Sequence, residues 1–261
     1  MKHIFWIVAG VFAAQAASAG VYVELVNHDL KANTRDLAQK MYVQDGNGRF
    51  VDADGRASIV KSGTMYIIDD ADHSYIMFDK ATMEMLAKKL KVMMEQMKEQ
   101  LAKMPPEQRQ QTEEMMRTMP GMGGDDQKWK VEVSDTGRSE KVDGRTCKVW
   151  DVKRNDELDD QLCVVPYSAL PGKENFQAVF ANFAKVFEEM AKSVPMLAGM
   201  MTNEFDAQAK VNGFPVRSRG YEQGKLGDVE QLVGVWREEA IPAAMFDIPA
   251  GYKPKQMPVE Q

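Results

Sequence analysis

Residues 79–122 read DKATMEMLAKKLKVMMEQMKEQLAKMPPEQRQQTEEMMRTMPGM. Leu86, Leu90, Met93, Met97, Leu101 and Met104 recur at steps of four and three, which lines them along one side of a 3.6-residue helix. Lysines and glutamates fill the other side, and Glu84 with Lys88 and Glu99 with Lys103 are i,i+4 pairs in the favourable order. Asp79 stands where an N-cap is needed, and Phe78 with Met83 has the spacing of a hydrophobic staple. Pro105 and Pro106 end this helix. A second, more polar piece from Glu107 to Met119 then runs into Pro120, Gly121, Met122, Gly123 and Gly124.

On either side of this insertion the pattern is short β-prone runs. Before it lie Val21 to Val26, Leu37 to Val43, Arg49 to Val51, Ala57 to Lys61, Thr64 to Ile68 and Ser74 to Phe78. Asp45-Gly46-Asn47-Gly48, Asp54-Gly55 and Ser62-Gly63 separate them, with the positive φ that tight hairpins demand, so this half reads as an antiparallel meander. After it come Trp129 to Val133, Thr146 to Val152 and Leu158 to Val165, then Phe214 to Tyr221 and Val229 to Glu238. A second amphipathic helix opens after Pro171-Gly172 and carries Phe176, Phe180, Phe183, Phe187 and Met190 on one stripe, which the sheet must cover. About eleven strands interrupted by helices, rather than alternating with them, point to an α+β chain with an antiparallel sheet. The proline-rich end from Ile241 to Tyr252 is unsuited to a central strand.

Residues 1–19 have a charged start, an apolar stretch and Ala17-Ser18-Ala19, the layout of a secretory signal peptide cleaved after Ala19. The expected mature chain, residues 20–261, is a single domain with its helical insertion at residues 79–124 and a periplasmic address. No later apolar run of about 18 residues spans a bilayer. Loss of Lys2 moves the formal charge from −6 to −7, and no basic, aromatic-interleaved stripe offsets it, so nucleic acid is excluded as a partner. The two cysteines, Cys147 and Cys163, enter an oxidising compartment and are expected to be joined rather than left as buried thiols. A hairpin centred on Asn155 would set them directly opposite one another.

Five pieces carry a family resemblance. They are Met65-Tyr66-Ile67-Ile68-Asp69-Asp70 with Tyr75-Ile76-Met77, Gly144-Arg145-Thr146-Cys147-Lys148-Val149-Trp150, Leu162-Cys163-Val164, Gly213-Phe214-Pro215-Val216-Arg217, and the ending from Met245 to Tyr252. Together the chain resembles a domain-of-unknown-function family of exported bacterial proteins, itself similar to the LolA/LolB lipoprotein carriers. That resemblance implies a strongly curved half-barrel whose concave face is covered by helices around an apolar cavity. The long insertion after Phe78 departs from the carriers, and no ligand-binding residue transfers from them.

Catalytic signatures are missing. The mature chain has two histidines, His28 and His73, far apart, with no H-E-x-x-H, G-x-S-x-G, Walker loop or G-x-G-x-x-G. Acidic turns such as Asp52-Ala53-Asp54-Gly55 do not continue into a twelve-residue calcium loop. Met93, Met94 and Met97, and again Met115, Met116, Met119 and Met122, give M-x-x-M spacings that allow soft Cu(I) ligation, but they also suit a flexible apolar face packed on the sheet or offered to a ligand or partner.

The expectation is a non-enzymatic binding or carrier protein without cofactor or metal. Its apolar ligand, a lipid or acylated polypeptide, would meet Leu86, Leu90, Met93, Met97, Leu101, Met104, Phe176, Phe180, Phe183 and Phe187. A Met-based copper protein and an envelope protein that docks through the Met-rich helix are the alternatives.

Overall fold

The computed structural model describes residues 19–118, 130–193 and 210–255. Residues 1–18 of the expected signal peptide, Met119, Trp129 and the glycines at 121, 123 and 124 therefore lie outside the described residues. Two antiparallel meanders make one sheet. The first is β1 (Gly20–Asp29), β2 (Thr34–Gln44), β3 (Asn47–Asp52), β4 (Ala57–Lys61), β5 (Thr64–Asp69) and β6 (Ser74–Phe78). The second is β7 (Val131–Val142), β8 (Arg145–Arg154), β9 (Glu157–Pro166), β10 (Gly213–Glu222) and β11 (Lys225–Glu239). A short β12 (Lys253–Pro254) is the twelfth strand, beyond the eleven or so expected, and pairs parallel with β6. Its proline is tolerated because the strand sits at an edge. The two meanders join through β1 and β11, and the order across the sheet is β12-β6-β5-β4-β3-β2-β1-β11-β10-β9-β8-β7.

The turns explain why these runs separate. Asp45-Gly46, Ser62-Gly63, Asp143-Gly144 and Gln223-Gly224 all hold positive φ at both central positions, the two-residue geometry that matches strand twist. α1 (Lys80–Lys103) starts at Asp79, whose Oδ1 accepts the Thr82 amide at 2.8 Å, and its last turn closes with the Met104 amide donating to the Leu101 carbonyl. α2 (Pro106–Thr118) begins at the second proline. Among the described residues no helix is long and apolar enough to cross a membrane.

α3 (Lys173–Ser193) enters between the neighbouring strands β9 and β10 and packs on β1, β2, β3 and β4. Polar tethers fix its position: the Asp45 amide donates to Asn175 Oδ1 at 2.9 Å, and Asn182 Nδ2 to the Gly46 carbonyl at 2.7 Å. Beneath it Phe176 and Val179 are buried with Val21, Val23, Val43, Phe214, Val216 and Val233. Gly172, the hinge into α3, has φ +64°, and a Cβ there would lie 2.1 Å from Val21 Cγ2. Gly172→Ala is therefore expected to cost at least about 1–3 kcal/mol from backbone strain alone, read as a lower denaturation midpoint. An unchanged midpoint would show that this entry is not fixed.

The sheet curls strongly without closing. Arg35 on β2 makes a two-toothed pair with Asp143 in the β7–β8 turn, at 2.9 and 3.2 Å, although β1, β11, β10 and β9 lie between β2 and β8. Laid flat, five strand spacings of about 4.8 Å would hold them roughly 24 Å apart. Arg145 Nη1 on β8 likewise reaches the Val233 carbonyl on β11 at 3.1 Å. The half-barrel implied by the resemblance is the shape these contacts require.

Cys147 and Cys163 are joined, with Cα atoms 5.3 Å apart. The pair is diagonal rather than directly opposite: the turn is the two-residue pair Asn155-Asp156 rather than one centred on Asn155, and a register shift between Val152 and Lys153 adds a second residue of offset, so Cys163 faces Val149. At the other end of the sheet the tail acts as a clasp. Phe246 is buried, Lys61 pairs with Asp247, and the Tyr252 hydroxyl donates to Asp70. Tyr252 also joins Ala57, Ile59, Ile68, Tyr66 and Tyr75 in a second, smaller core.

Candidate functional site

The apolar residues singled out from sequence fall along a gradient. Phe176 is 1% exposed and stacks on Trp236 with ring centroids 4.7 Å apart, so it belongs to the core. One and two turns further on, Phe180 and Phe183 are half-buried, and Phe183 meets Phe50 of β3 at 5.3 Å. α1 rests against α3. On α1 Leu101 is buried and Met97 half-buried, whereas Met93 and Met104 are exposed, at 45% and 37%. The side chains of Leu86, Leu90 and Phe187 lie outside the described residues, as do those of Met94, Met115 and Met116. What the described residues bring together is α1 with α3, and Phe183 of α3 with Phe50 of β3.

Topology gives the insertion its place. β6 lies at one end of the sheet, flanked only by the two-residue β12, and β7 is the strand at the opposite edge. The methionine-rich insertion is the connection between them, so it links the two sides of an open half-barrel. A polar, open cleft of about 600 Å³ also lies between the β8–β9 turn and the end of β10, lined by Arg154, Glu157, Asp159, Tyr221 and Glu222. Arg154 and Asp159 pair across it at 2.9 Å, and it does not suit an acyl chain.

A third feature has no local signature in the sequence. Glu230 on β11 is 6% exposed and takes hydrogen bonds from His28 Nδ1 of β1 at 2.9 Å and from Arg219 Nε of β10 at 2.6 Å. Arg217, 5% exposed, reaches Glu140 of β7 at 2.7 Å and Glu230 at 3.9 Å. Burial alone would push the Glu230 carboxyl up. The hydrogen bonds from His28 and Arg219, with the two guanidinium charges, outweigh it and hold the group below its ordinary value. The Arg217 hydrogen bond does the same for Glu140 against partial burial. His28 and Glu230 are 202 residues apart, so no short-range spacing announces them. The one sequence hint is the alternation of Arg217 and Arg219 in a strand that begins with Phe214 and Val216.

A family model described as a domain of unknown function (DUF4412) matches residues 68–252. The stretch includes both amphipathic helical segments and four complete pieces of the resemblance, with the first entered at Ile68. Among solved structures the chain is similar to an uncharacterized conserved protein from Thermus thermophilus, at 7% identity and a TM-score of 0.43, covering 91% of this chain and 90% of that one. No curated protein sequence matches.

Proposed function

We propose that this chain, which belongs to the DUF4412 family of domains of unknown function, is an exported, non-enzymatic carrier or binding protein for an apolar ligand. The ligand class is a lipid or an acylated polypeptide, held between the curved sheet and the helices, and the place of action is the periplasm. The observation that carries this reading is the connection between the two sides of the open sheet: it is amphipathic, methionine-rich, packed on α3, and half-buried at Met97. A flexible, polarizable side chain at such a position adapts to irregular apolar shapes. Proline at 105 and 106 and the run of glycines at 121, 123 and 124 bracket the segment in sequence, as suits a lid. The likeness to the LolA/LolB carriers fits the same use of a half-barrel.

Met97 and Met93 separate the inner and outer aspects of α1. Met97→Asp is expected to weaken binding of a fluorescent fatty-acid probe at least about tenfold, since a charge is driven against an apolar face, while Met93→Asp changes it less than about twofold. Equal losses in both variants, or no probe bound by the natural protein, would overturn the reading. A docking role for α1 on another envelope protein is favoured by Met85, Val92 and Met93, which are 41%, 53% and 45% exposed. It predicts the reverse order of the two variants in partner capture.

A further inference from the structure

The charged cluster at the curl of the sheet has a feature that the carrier reading does not use. Both ring nitrogens of His28 face oxygen acceptors: Nδ1 meets Glu230 Oε1 at 2.9 Å and Nε2 meets Asn33 Oδ1 at 3.0 Å. A neutral imidazole has only one N–H, so this arrangement is completed by the doubly protonated ring. With His28 and Arg219 both donating to Glu230, the neighbouring Arg217 is left to Glu140. Its distances, 2.7 Å to Glu140 against 3.9 Å to Glu230, reflect that division. Arg217 Nε and Nη2 are buried without a hydrogen-bond acceptor, so the guanidinium is held at one end and slack at the other.

We propose that Arg217 is a two-position latch set by His28: with the imidazole protonated, Arg217 holds Glu140 and clamps the edge strand β7 to the curl, and with it neutral, Arg217 turns to Glu230 and lets β7 go. The other charged groups facing the cluster are Asp29 beside His28, Arg35 of β2, paired with Asp143 of the β7–β8 turn, and Arg138 of β7, near Glu140. Lys31 and Asp228 form an exposed pair at its rim. Desolvation, and after it the Arg35 charge, opposes protonation of His28. The hydrogen bonds to Glu230 and Asn33 outweigh both and raise the imidazole above its ordinary value. A group raised on folding stabilises the fold fully below its unfolded value near 6.5, and that contribution is lost as pH rises through the folded value. The latch is thus closed in mild acid and released in mild alkali.

The test follows amide exchange in β7, at Glu140 to Val142, between about pH 5.5 and 8.5, after division by the intrinsic base-catalysed rate. Protection is expected to fall about tenfold, the effect of losing one charge-assisted hydrogen bond, with a midpoint that coincides with the His28 ring titration seen by NMR. His28→Gln is expected to remove the step. Asn33→Asp, an exposed change that adds a charge at Nε2, is expected to move step and ring titration together to higher pH. A step that persists in His28→Gln, or one that stays in place in Asn33→Asp while the ring titration moves, would overturn the proposal. Probe binding is not the readout, so failure here is distinguishable from failure of the carrier reading.

Discussion

Phe176→Ala is expected to lower stability by about 3–5 kcal/mol, the range for emptying a well-packed aromatic site. The ring is 1% exposed and is contacted from three directions, by Trp236 at 4.7 Å, Phe214 at 5.3 Å and Phe180 at 6.3 Å between centroids. Trp236 and Phe214 come from adjacent strands, and Val179 closes the space one turn along the helix. Nothing nearby collapses easily, because the Asn175 and Asn182 tethers hold α3 at fixed height above β2 and β3. Urea unfolding followed by tryptophan fluorescence measures the loss. A value under about 1 kcal/mol would mean that α3 does not seat its first turns on the sheet. Phe180→Ala, at a half-buried site, is expected to lose clearly less than Phe176→Ala.

Replacing Cys147 and Cys163 together by alanine is expected to cost about 3 kcal/mol, the loop-entropy value for a closure of this length, within a usual range of about 2–5 kcal/mol. The sequence separation is 16 residues. Both residues sit in the main core at 2% and 0% exposure, so the substitution also removes packed volume. Reduction of the natural protein by dithiothreitol isolates the cross-link from that packing loss. A midpoint that does not move on confirmed reduction would show that the β8–β9 hairpin is held by its ladder and core alone.

The strands are legible in the sequence because their turns are chemically marked. Asp45-Gly46 and Ser62-Gly63 occupy a conformation that most side chains resist, and the runs between such pairs alternate as half-buried strands do. The N-cap at Asp79 and the two helical periods are legible for the same local reason. The β-prone pattern of β7 ends at Val133, yet the strand continues to Val142, because a bulge between Asp135 and Ser139, with Gly137 at φ +73°, interrupts its alternation. The diagonal disulfide escapes a simple count for two reasons of one residue each, the two-residue turn at Asn155-Asp156 and the register shift between Val152 and Lys153.

The site is only partly legible. Helical spacing places Met93, Met97, Leu101 and Met104 on one stripe, but spacing does not say how far along a helix its cover extends. Tertiary contact buries Leu101 and leaves Met93 in water. Sheet order is not encoded locally at all. That β1 pairs with β11, and that the methionine-rich insertion joins opposite sides of the sheet, depends on contacts made between the two meanders. The same holds for His28, Glu140, Arg217, Arg219 and Glu230, which come from four strands and are ordinary surface-type residues until the curl buries them.

Mass spectrometry of apolar molecules extracted from protein purified natively from its own envelope, without detergent, tests the carrier claim most directly. A near-stoichiometric acyl-chain species is expected in the natural protein, depleted in Met97→Asp and retained in Met93→Asp. Protein that is folded, oxidised and free of any such species, and that takes up no fatty-acid probe when offered one, would contradict the carrier claim.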